Sequence, residues 1–319
     1  MSHQRKKLLI DTDPGIDDAM AILAAFNSPE VEVVGLTTVF GNVYTQTATR
    51  NAFKILQLAE ATQVPVAEGS HVTLNGAPKT WVADFVHGAD GFGNMNFEAV
   101  EGQRWRGSAA EFIVQKVREN PGEVSILALG PLTNVALAMQ LDSSVAENAA
   151  EIVVLGGAFF VNGNVNPAAE ANMYGDPDAA DFVFGQSGNI KVVGLDVTHS
   201  CQFTGSELSN LRGRGRFGTF LSEITAFYLK YHQDSYDMDS VYVHDPSALA
   251  AVLQPSLFTW RSGQVRVLTE SMATGMTVMD VGLKRWNNPH GWTHRPKVQV
   301  AVAVNAAETT SMLLERMAA

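Results

Sequence analysis

The chain has 319 residues, of which 46% are hydrophobic and 17% charged, so it has ample apolar material for a globular core. Its net charge of −11 argues against nucleic acid and membrane partners, because duplexes and anionic lipids bind clustered positive charge. The single cysteine excludes an intrachain disulfide. No apolar segment approaches the roughly 18 residues of a membrane span, and the apolar run near the start is too short for a signal peptide. We therefore expect a soluble, cytoplasmic protein.

Short apolar runs alternate with helical patterns along the chain. LLI is followed by DDAMAILAAF, and the alternation continues at VSILAL, EIVVLGG and IKVVGL. Apolar strands that alternate with helices of about 10–15 residues predict an α/β fold with a mostly parallel, Rossmann-like central sheet flanked by helices. No linker-like segment interrupts the pattern, so we expect a single domain over residues 1–319.

The stretch DTDPGIDDA places four carboxylates within eight positions. Residues two apart on a strand share a face, so Asp11 and Asp13 point to one side where the first strand ends. Asp17 and Asp18 then lie at the start of the next helix, where free amides favour acids. A helix N-cap explains Asp17 or Asp18 alone about as well as a ligand role does. It does not explain Asp13, whereas a divalent cation would neutralise the repulsion of all of them.

All candidate ligands in this cluster are oxygen atoms, a donor set that favours Ca²⁺ or Mg²⁺ over zinc. Calcium takes about six to eight oxygens, so further ligands must come from elsewhere in the chain. Asp245 is the best distant candidate, because it follows the apolar run VYV and precedes proline as Asp13 does. A third Asp-Pro pair, at Asp176, is fully explained by an N-cap aspartate and a proline at the first helical position. We expect Asp176 to be structural.

Eight segments occur in a characteristic order along the chain: DTDPGIDDAMAI, TTVFGN, FVHGADG, LALGPLTNVALA, VVLGGAF, NPAAEANMYGDPDAADFVF, LDVTH and VHDP. In this order they resemble nucleoside hydrolases of the inosine-uridine preferring type, in particular the uridine ribohydrolase branch. The resemblance covers residues 8–304. It implies a calcium-dependent enzyme that hydrolyses the N-glycosidic bond of purine or pyrimidine ribonucleosides, such as uridine, inosine or xanthosine, in nucleoside salvage or catabolism. Relatives of this kind are homodimers or homotetramers.

The resemblance also implies a role for individual residues. Asp13 is similar to the general base that takes a proton from water, and Asp11 to an aspartate that supports the metal site from behind. His244 matches the histidine that faces the leaving base and is the candidate acid. The residues that resemble calcium ligands are Asp13, Asp18, Asp245 and, through its main-chain carbonyl, Leu129.

Further positions resemble groups that bind the nucleoside. Those that match ribose-binding groups are Asp17, Asn42, Asn164, Glu170 and Asn172. His87 matches a histidine on the base side, and Ala171 departs from the family pattern, which often has phenylalanine there. Near His244 in sequence lie Tyr231, His232 and Tyr236, which we expect either to line a mobile base-binding flap or to form an exposed aromatic helix edge.

Several alternatives stay open at this point. The histidine before Asp245 could be a structural hydrogen-bond partner rather than an acid. A strand that ends in Asp-x-Asp also begins the Mg²⁺-dependent phosphatases of the haloacid dehalogenase type, although their pattern continues differently from Pro14-Gly15 here. A non-catalytic calcium- or ribose-binding protein is the other alternative, and retention of Asp13, Glu170 and His244 together argues against it.

Overall fold

Strands and helices alternate through most of the chain, as the sequence predicts. The computed structural model describes residues 5–79 and 81–319. The strands are β1 (Lys6–Thr12), β2 (Val31–Thr38), β3 (Val66–Glu68), β4 (Val124–Ala128), β5 (Glu151–Leu155), β6 (Ile190–Val193), β7 (Gln202–Thr204), β8 (Ser240–Tyr242), β9 (Phe258–Val267), β10 (Thr277–Asp280) and β11 (Val298–Val304). The helices are α1 (Ile16–Phe26), α2 (Thr45–Leu58), α3 (Asp84–His87), α4 (Ala109–Glu119), α5 (Thr133–Leu141), α6 (Val145–Asn148), α7 (Ala171–Gly175), α8 (Pro177–Val183), α9 (Leu195–Thr198), α10 (Gly205–Ser209), α11 (Gly218–Tyr236), α12 (His244–Leu253) and α13 (Ala306–Met317), with a 3₁₀ turn at Pro255–Leu257.

Nine strands form one sheet in the order β10-β9-β11-β6-β5-β4-β1-β2-β3. The neighbours from β3 to β11 pair in parallel, and β9 and β10 extend the sheet by antiparallel pairing. The predicted mostly parallel α/β sheet is therefore confirmed, while the antiparallel edge has no counterpart in the prediction. The strand order reverses between β1 and β4, and ligands of doubly wound sheets bind beyond the carboxyl ends of the strands at such a switch point.

The central strands are buried because helices cover both faces of the sheet. Every residue of β4 and β5 is buried. Along β1, Leu8 and Ile10 pack into the core layer that contains α1, whereas Leu9 packs into the layer that contains α4 and α5. Among the described residues, no helix is long and apolar enough to cross a membrane.

The segment VYV lies outside the main sheet. It contributes to β8, which pairs antiparallel with β7 in a separate two-stranded sheet. The backbone N–H of Val243 donates to the carbonyl of Cys201 (3.1 Å), and α12 begins directly afterwards at His244 and packs against α1. Asp245 thus reaches the β1–α1 junction from a helix of its own rather than from the end of a central strand.

Candidate active site

The turn between β1 and α1 fixes the first carboxylates. Gly15 is the N-cap of α1, and Asp18 lies in the first helical turn with its Oδ2 accepting the backbone N–H of Gly15 (3.0 Å). The hydroxyl of Thr12 donates to the other oxygen of Asp18. Neither predicted N-cap, Asp17 or Asp18, occupies the N-cap position, yet Asp18 does satisfy an N-terminal amide.

Three carboxylates converge above this turn. One oxygen from each of Asp17, Asp18 and Asp245 lies within 4.8 Å of the others, and all three side chains are buried. Oδ1 of Asp13 and Oδ1 of Asp17 have no hydrogen-bond partner among the residues that the structure describes. Burying unpaired carboxylates is costly. The arrangement therefore suits a bound cation, which would supply the missing positive charge.

The pKa values of these carboxyls reflect the same excess of buried negative charge. Burial first, and then the charges of the neighbouring acids, raise the pKa of Asp17 to about 8 and those of Asp13 and Asp245 well above their usual value. Without a cation, part of the cluster holds protons at neutral pH.

Two glycines make room for Asp13. Its Oδ2 accepts the backbone N–H of Asn42 at 2.6 Å, and Asn42 directly follows Gly41 in the chain. A Cβ at Gly41 would lie 1.9 Å from Oδ2 of Asp13, and a Cβ at Gly130 would lie 2.5 Å from its Oδ1. The loops after β2 and β4 can enclose this carboxylate only without side chains at those positions.

Asp11, the predicted supporting residue, is fully buried near the end of β1. Its Oδ1 accepts the hydroxyl of Thr37 (2.5 Å) and the side-chain amide of Asn134 (2.8 Å), and burial raises its pKa to about 7. Asn134 also donates to the carbonyl of Thr38 (2.9 Å), so it joins α5 to β1 and β2.

A second group of polar side chains meets the cluster from the carboxyl ends of β4 and β5. The amide of Asn172 donates to the carbonyl of Leu129 (2.6 Å) and to that of Leu155 (3.2 Å). Glu170 is the N-cap of α7, and its oxygens accept the backbone N–H groups of Asn172 (2.9 Å) and Gly157 (3.0 Å). These interactions hold Glu170 and Asn172 side by side.

One cavity of about 260 Å³ opens onto these groups. Its lining includes all six predicted nucleoside-binding residues: Asp17, Asn42, His87, Asn164, Glu170 and Asn172. Leu129, His244 and Asp245 also line it, whereas the more deeply placed Asp11, Asp13 and Asp18 do not. The lining also includes an aromatic rim that consists of Trp81, Phe85, Tyr228, Tyr231 and Tyr236. The cavity therefore combines an acidic, amide-rich floor with an aromatic wall.

His87 is buried against Asp17. Its Nδ1 accepts the backbone N–H of Ile16 (3.2 Å) and lies 3.9 Å from Oδ1 of Asp17. Its ring stacks on Tyr228, whose hydroxyl donates to Oδ2 of Asp17 at 3.5 Å. Burial lowers the pKa of His87 to about 3, so its imidazole is neutral at physiological pH.

The two histidines near the rim differ in what their nitrogens contact. His232 is buried, with Nδ1 on the carbonyl of Tyr228 (2.9 Å) and Nε2 accepting the backbone N–H of Tyr242 (3.2 Å). Nδ1 of His244 lies 2.8 Å from the hydroxyl of Thr198. Both nitrogens of His232 are thus engaged by the protein, whereas His87 and His244 each have one ring nitrogen without a hydrogen-bond partner in the described part of the chain.

The residues of the proposed flap lie on the last turns of α11. Tyr231 packs edge-on against Tyr236 (6.0 Å between centroids) and against Phe85 (5.9 Å), and Phe85 is 60% exposed. Tyr231 and Tyr236 therefore belong to one aromatic cluster that borders both the cavity and solvent.

Sequence reasoning missed several residues that shape the site: Thr12, Gly41, Gly130, Asn134, Thr198 and Tyr228. Asn134 could have been identified from the sequence, since it is a polar residue in a mostly apolar helical segment. Gly41 and Gly130 each follow an apolar strand, but their close approach to Asp13 is visible only in three dimensions.

The fold and the site define an α/β protein with a cavity lined by carboxylates and amides beside a cluster of buried acids. Residues 8–311 match the family model described as "Inosine-uridine preferring nucleoside hydrolase". The chain is 51% identical to uridine nucleosidase 1 of Arabidopsis thaliana, covering 95% of this chain and 90% of the relative. It superposes on a solved plant nucleoside hydrolase with a TM-score of 0.97 at 47% identity, covering 99% and 100% of the two chains. A purine-preferring ribonucleoside hydrolase from Gardnerella vaginalis gives a TM-score of 0.89 at 32% identity, with 98% of each chain covered.

The chain therefore belongs to the inosine-uridine preferring nucleoside hydrolase family. It is an N-ribohydrolase, and the predicted family resemblance is confirmed. The alternatives of a phosphatase and of a non-catalytic binding protein are set aside by this membership.

Proposed function

We propose that this enzyme is a calcium-dependent nucleoside hydrolase with uridine as its preferred substrate. One observation carries the metal part of the proposal. Buried carboxylates converge with no lysine or arginine at salt-bridge distance among the described residues, where Oδ1 of Asp13 and Oδ1 of Asp17 also accept no hydrogen bond. An all-oxygen donor set of this kind fits a hard divalent cation.

The residues that would hold the ion are Asp13, Asp18, Asp245 and the carbonyl of Leu129, with Asp17 beside them. Calcium would orient the attacking water and the ribose diol and would lower the pKa of the water modestly. The preference for calcium over magnesium rests on coordination geometry, since ligands from three separate segments of the chain suit a cation that tolerates irregular coordination.

The side chains supply the remaining chemistry. Asp13 accepts the proton of the attacking water, and general-base help of this kind contributes about 10²–10⁴-fold. Asn42, Glu170 and Asn172 grip the ribose hydroxyls and fix the ring. The acidic floor of the cavity favours the positive charge that develops on the sugar as the N-glycosidic bond breaks. His244 assists departure of the base.

Uridine as the preferred substrate is supported by the names of relatives. The relative at 51% identity is named a uridine nucleosidase, whereas the structure named as purine-preferring is 32% identical. Inosine and xanthosine remain the other candidate substrates. The aromatic rim offers stacking surfaces to any of these bases.

The test is ribose release from uridine, inosine, xanthosine, adenosine and cytidine by chelator-stripped enzyme with added Ca²⁺, Mg²⁺ or neither. We expect the highest kcat/KM with uridine and Ca²⁺. A higher kcat/KM for inosine would overturn the uridine preference, and full activity without any divalent cation would overturn the metal proposal.

The proposal also covers the domain organisation, the location and the assembly of the enzyme. We propose a single domain over residues 1–319, supported by the continuous nine-stranded sheet. A cytoplasmic location is consistent with a chain that carries one cysteine, since disulfides belong to oxidising compartments. Assembly into a homodimer or homotetramer follows the family and can be measured by light scattering.

A further inference from the structure

Thr198 contacts His244, a histidine that lines the cavity and has one ring nitrogen without a hydrogen-bond partner among the described residues. It is the last residue of α9, directly after β6, and its side chain is fully buried. Its hydroxyl lies 2.8 Å from Nδ1 of His244, and no other hydrogen bond of this hydroxyl occurs within the described residues. Thr198 does not line the cavity, whereas His244 does.

The direction of this hydrogen bond follows from satisfying the buried hydroxyl. If Nδ1 of His244 carried the proton, it would donate to Thr198, and the hydroxyl hydrogen would be left without an acceptor in a buried place. If Nδ1 is bare, the hydroxyl donates to it and both groups are satisfied. The neutral ring then carries its proton on Nε2, the nitrogen that is not held by Thr198.

A hydroxyl partner at Nδ1 gives the histidine ring the tautomer opposite to the one that a carboxylate partner gives. A histidine that is oriented by a carboxylate donates from Nδ1, and its Nε2 is then an acceptor, as in a general base. In the described part of the chain, His244 makes no hydrogen bond to the adjacent Asp245. With a hydroxyl in place of a carboxylate at Nδ1, the ring of His244 presents its Nε2–H as a donor to the cavity.

We propose that Thr198 is a positioning residue that holds neutral His244 as an Nε2–H donor toward the departing base. This inference deepens the proposed function and, in its kinetic part, rests on it. The electron pair of the N-glycosidic bond leaves with the base, and the anionic base accepts the Nε2–H hydrogen bond. Water supplies the oxygen that bonds to C1′, and its proton goes to Asp13. No proton leaves the imidazole, and the released base takes its proton from solvent.

The kinetic test compares two leaving groups in three variants. Thr198→Val removes the hydroxyl at nearly constant volume, Thr198→Ser keeps it, and Thr309→Val is the control. Thr309 is equally buried on α13, and its hydroxyl has no partner among the described residues. The substrates are uridine and 4-nitrophenyl riboside, whose nitrophenolate leaves without a hydrogen-bond donor.

We expect Thr198→Val to lower kcat on uridine by about 10–100-fold, as loss of an orienting partner typically does, with little change in KM. On 4-nitrophenyl riboside the loss should stay below about threefold, and Thr198→Ser should restore uridine turnover. Equal losses on both substrates, or unchanged kcat on uridine, would overturn the proposal.

Histidine ¹⁵N NMR of the full-length protein tests the tautomer directly, with the His244 signals assigned by their absence in His244→Gln. We expect a protonated Nε2 and a bare Nδ1 in the wild type, and loss of this single tautomer in Thr198→Val. A proton on Nδ1 in the wild type would overturn the inference. If the wild type hydrolysed neither riboside, the proposed function would fail, and the NMR spectrum would still decide the tautomer.

Discussion

Two Asp-Pro junctions in this chain are alike in sequence and differ in what their carboxylates contact. Asp176 begins α8 as its N-cap, with Oδ1 accepting the backbone N–H of Ala179 and Oδ2 accepting from Leu74 and Thr133. Asp13 is also buried, but its Oδ1 accepts no hydrogen bond within the described residues. The structural role predicted for Asp176 is confirmed. The two aspartates thus differ in whether protein donors reach both of their oxygens.

The largest expected effect separates these two aspartates. Asp13→Asn keeps the shape of the side chain and removes its charge, so kcat should fall by about 10²–10⁴-fold, as expected for loss of a general base. Ribose release under saturating substrate and Ca²⁺ measures it. Near-normal kcat would exclude Asp13 as the base.

Asp176→Asn is the matched control. It should lower the free energy of unfolding by about 1–2 kcal/mol, because the N-cap and the hydroxyl of Thr133 lose a charged acceptor. Its kcat should remain within about threefold of wild type, because its oxygens contact Leu74, Thr133 and Ala179 and it does not line the cavity. Urea unfolding and ribose release report the two quantities. A kcat loss equal to that of Asp13→Asn would remove the distinction between the two junctions.

The second effect probes the space around Asp13. Gly41→Ala places a Cβ 1.9 Å from Oδ2 of Asp13, so that carboxylate must move. We expect calcium affinity to drop by about 10–100-fold, as when ligand orientation is lost. Isothermal titration calorimetry measures the affinity. Gly185→Ala is the control, because its Cβ would have its nearest neighbours at 3.2 Å; equal affinities in the two variants would contradict the role of Gly41.

The third effect is a pH dependence of calcium binding. The pKa values of Asp17 and Asp11 are raised to about 8 and about 7, above those of an unfolded chain. Raised pKa values stabilise the metal-free fold below about pH 4, and this stability is lost as pH rises toward 8. Calcium displaces the retained protons, so its affinity should rise from pH 5 to 8, by up to about tenfold per unit for each proton released.

Thermal unfolding with and without calcium checks this linkage. The increase in Tm caused by calcium should be larger at pH 8 than at pH 5. An increase that is the same at both pH values would mean that the cluster holds no protons for calcium to displace.

The smallest effect tests an unpartnered oxygen outside the acidic cluster. Thr309→Val removes a buried hydroxyl without a hydrogen-bond partner in the described residues. We expect the free energy of unfolding to stay equal or rise by up to about 1 kcal/mol, and kcat to be unchanged. Urea unfolding measures the first quantity. A marked destabilisation would show that the hydroxyl of Thr309 makes a stabilising interaction and is not unpartnered.

Much of the fold is predictable from the sequence, because the hydrophobic periods of strands and helices are local. The runs at LLI, VSILAL and EIVVLGG predict β1, β4 and β5, and the structure confirms them. The antiparallel strands β9 and β10 escaped prediction, since an edge strand pairs with residues far along the chain. Strand β8 was foreseen as a strand, but its place outside the main sheet depends on pairing with β7.

The candidate site was predictable where residue type limits the chemistry. Four carboxylates in eight positions point to a cation, and the family motifs supply the residues that line the cavity. Contacts across the fold were not predictable. The glycines beside Asp13, the amide of Asn134 on Asp11 and the hydroxyl of Thr198 on His244 depend on how distant loops meet.

The central claim is that the buried carboxylates form a calcium site on which turnover depends. Ribose release from uridine by chelator-stripped enzyme, titrated with Ca²⁺, tests it most directly. We expect no turnover without calcium and full recovery at about one Ca²⁺ per chain in tight binding. Undiminished turnover by enzyme shown to contain no divalent metal would contradict it.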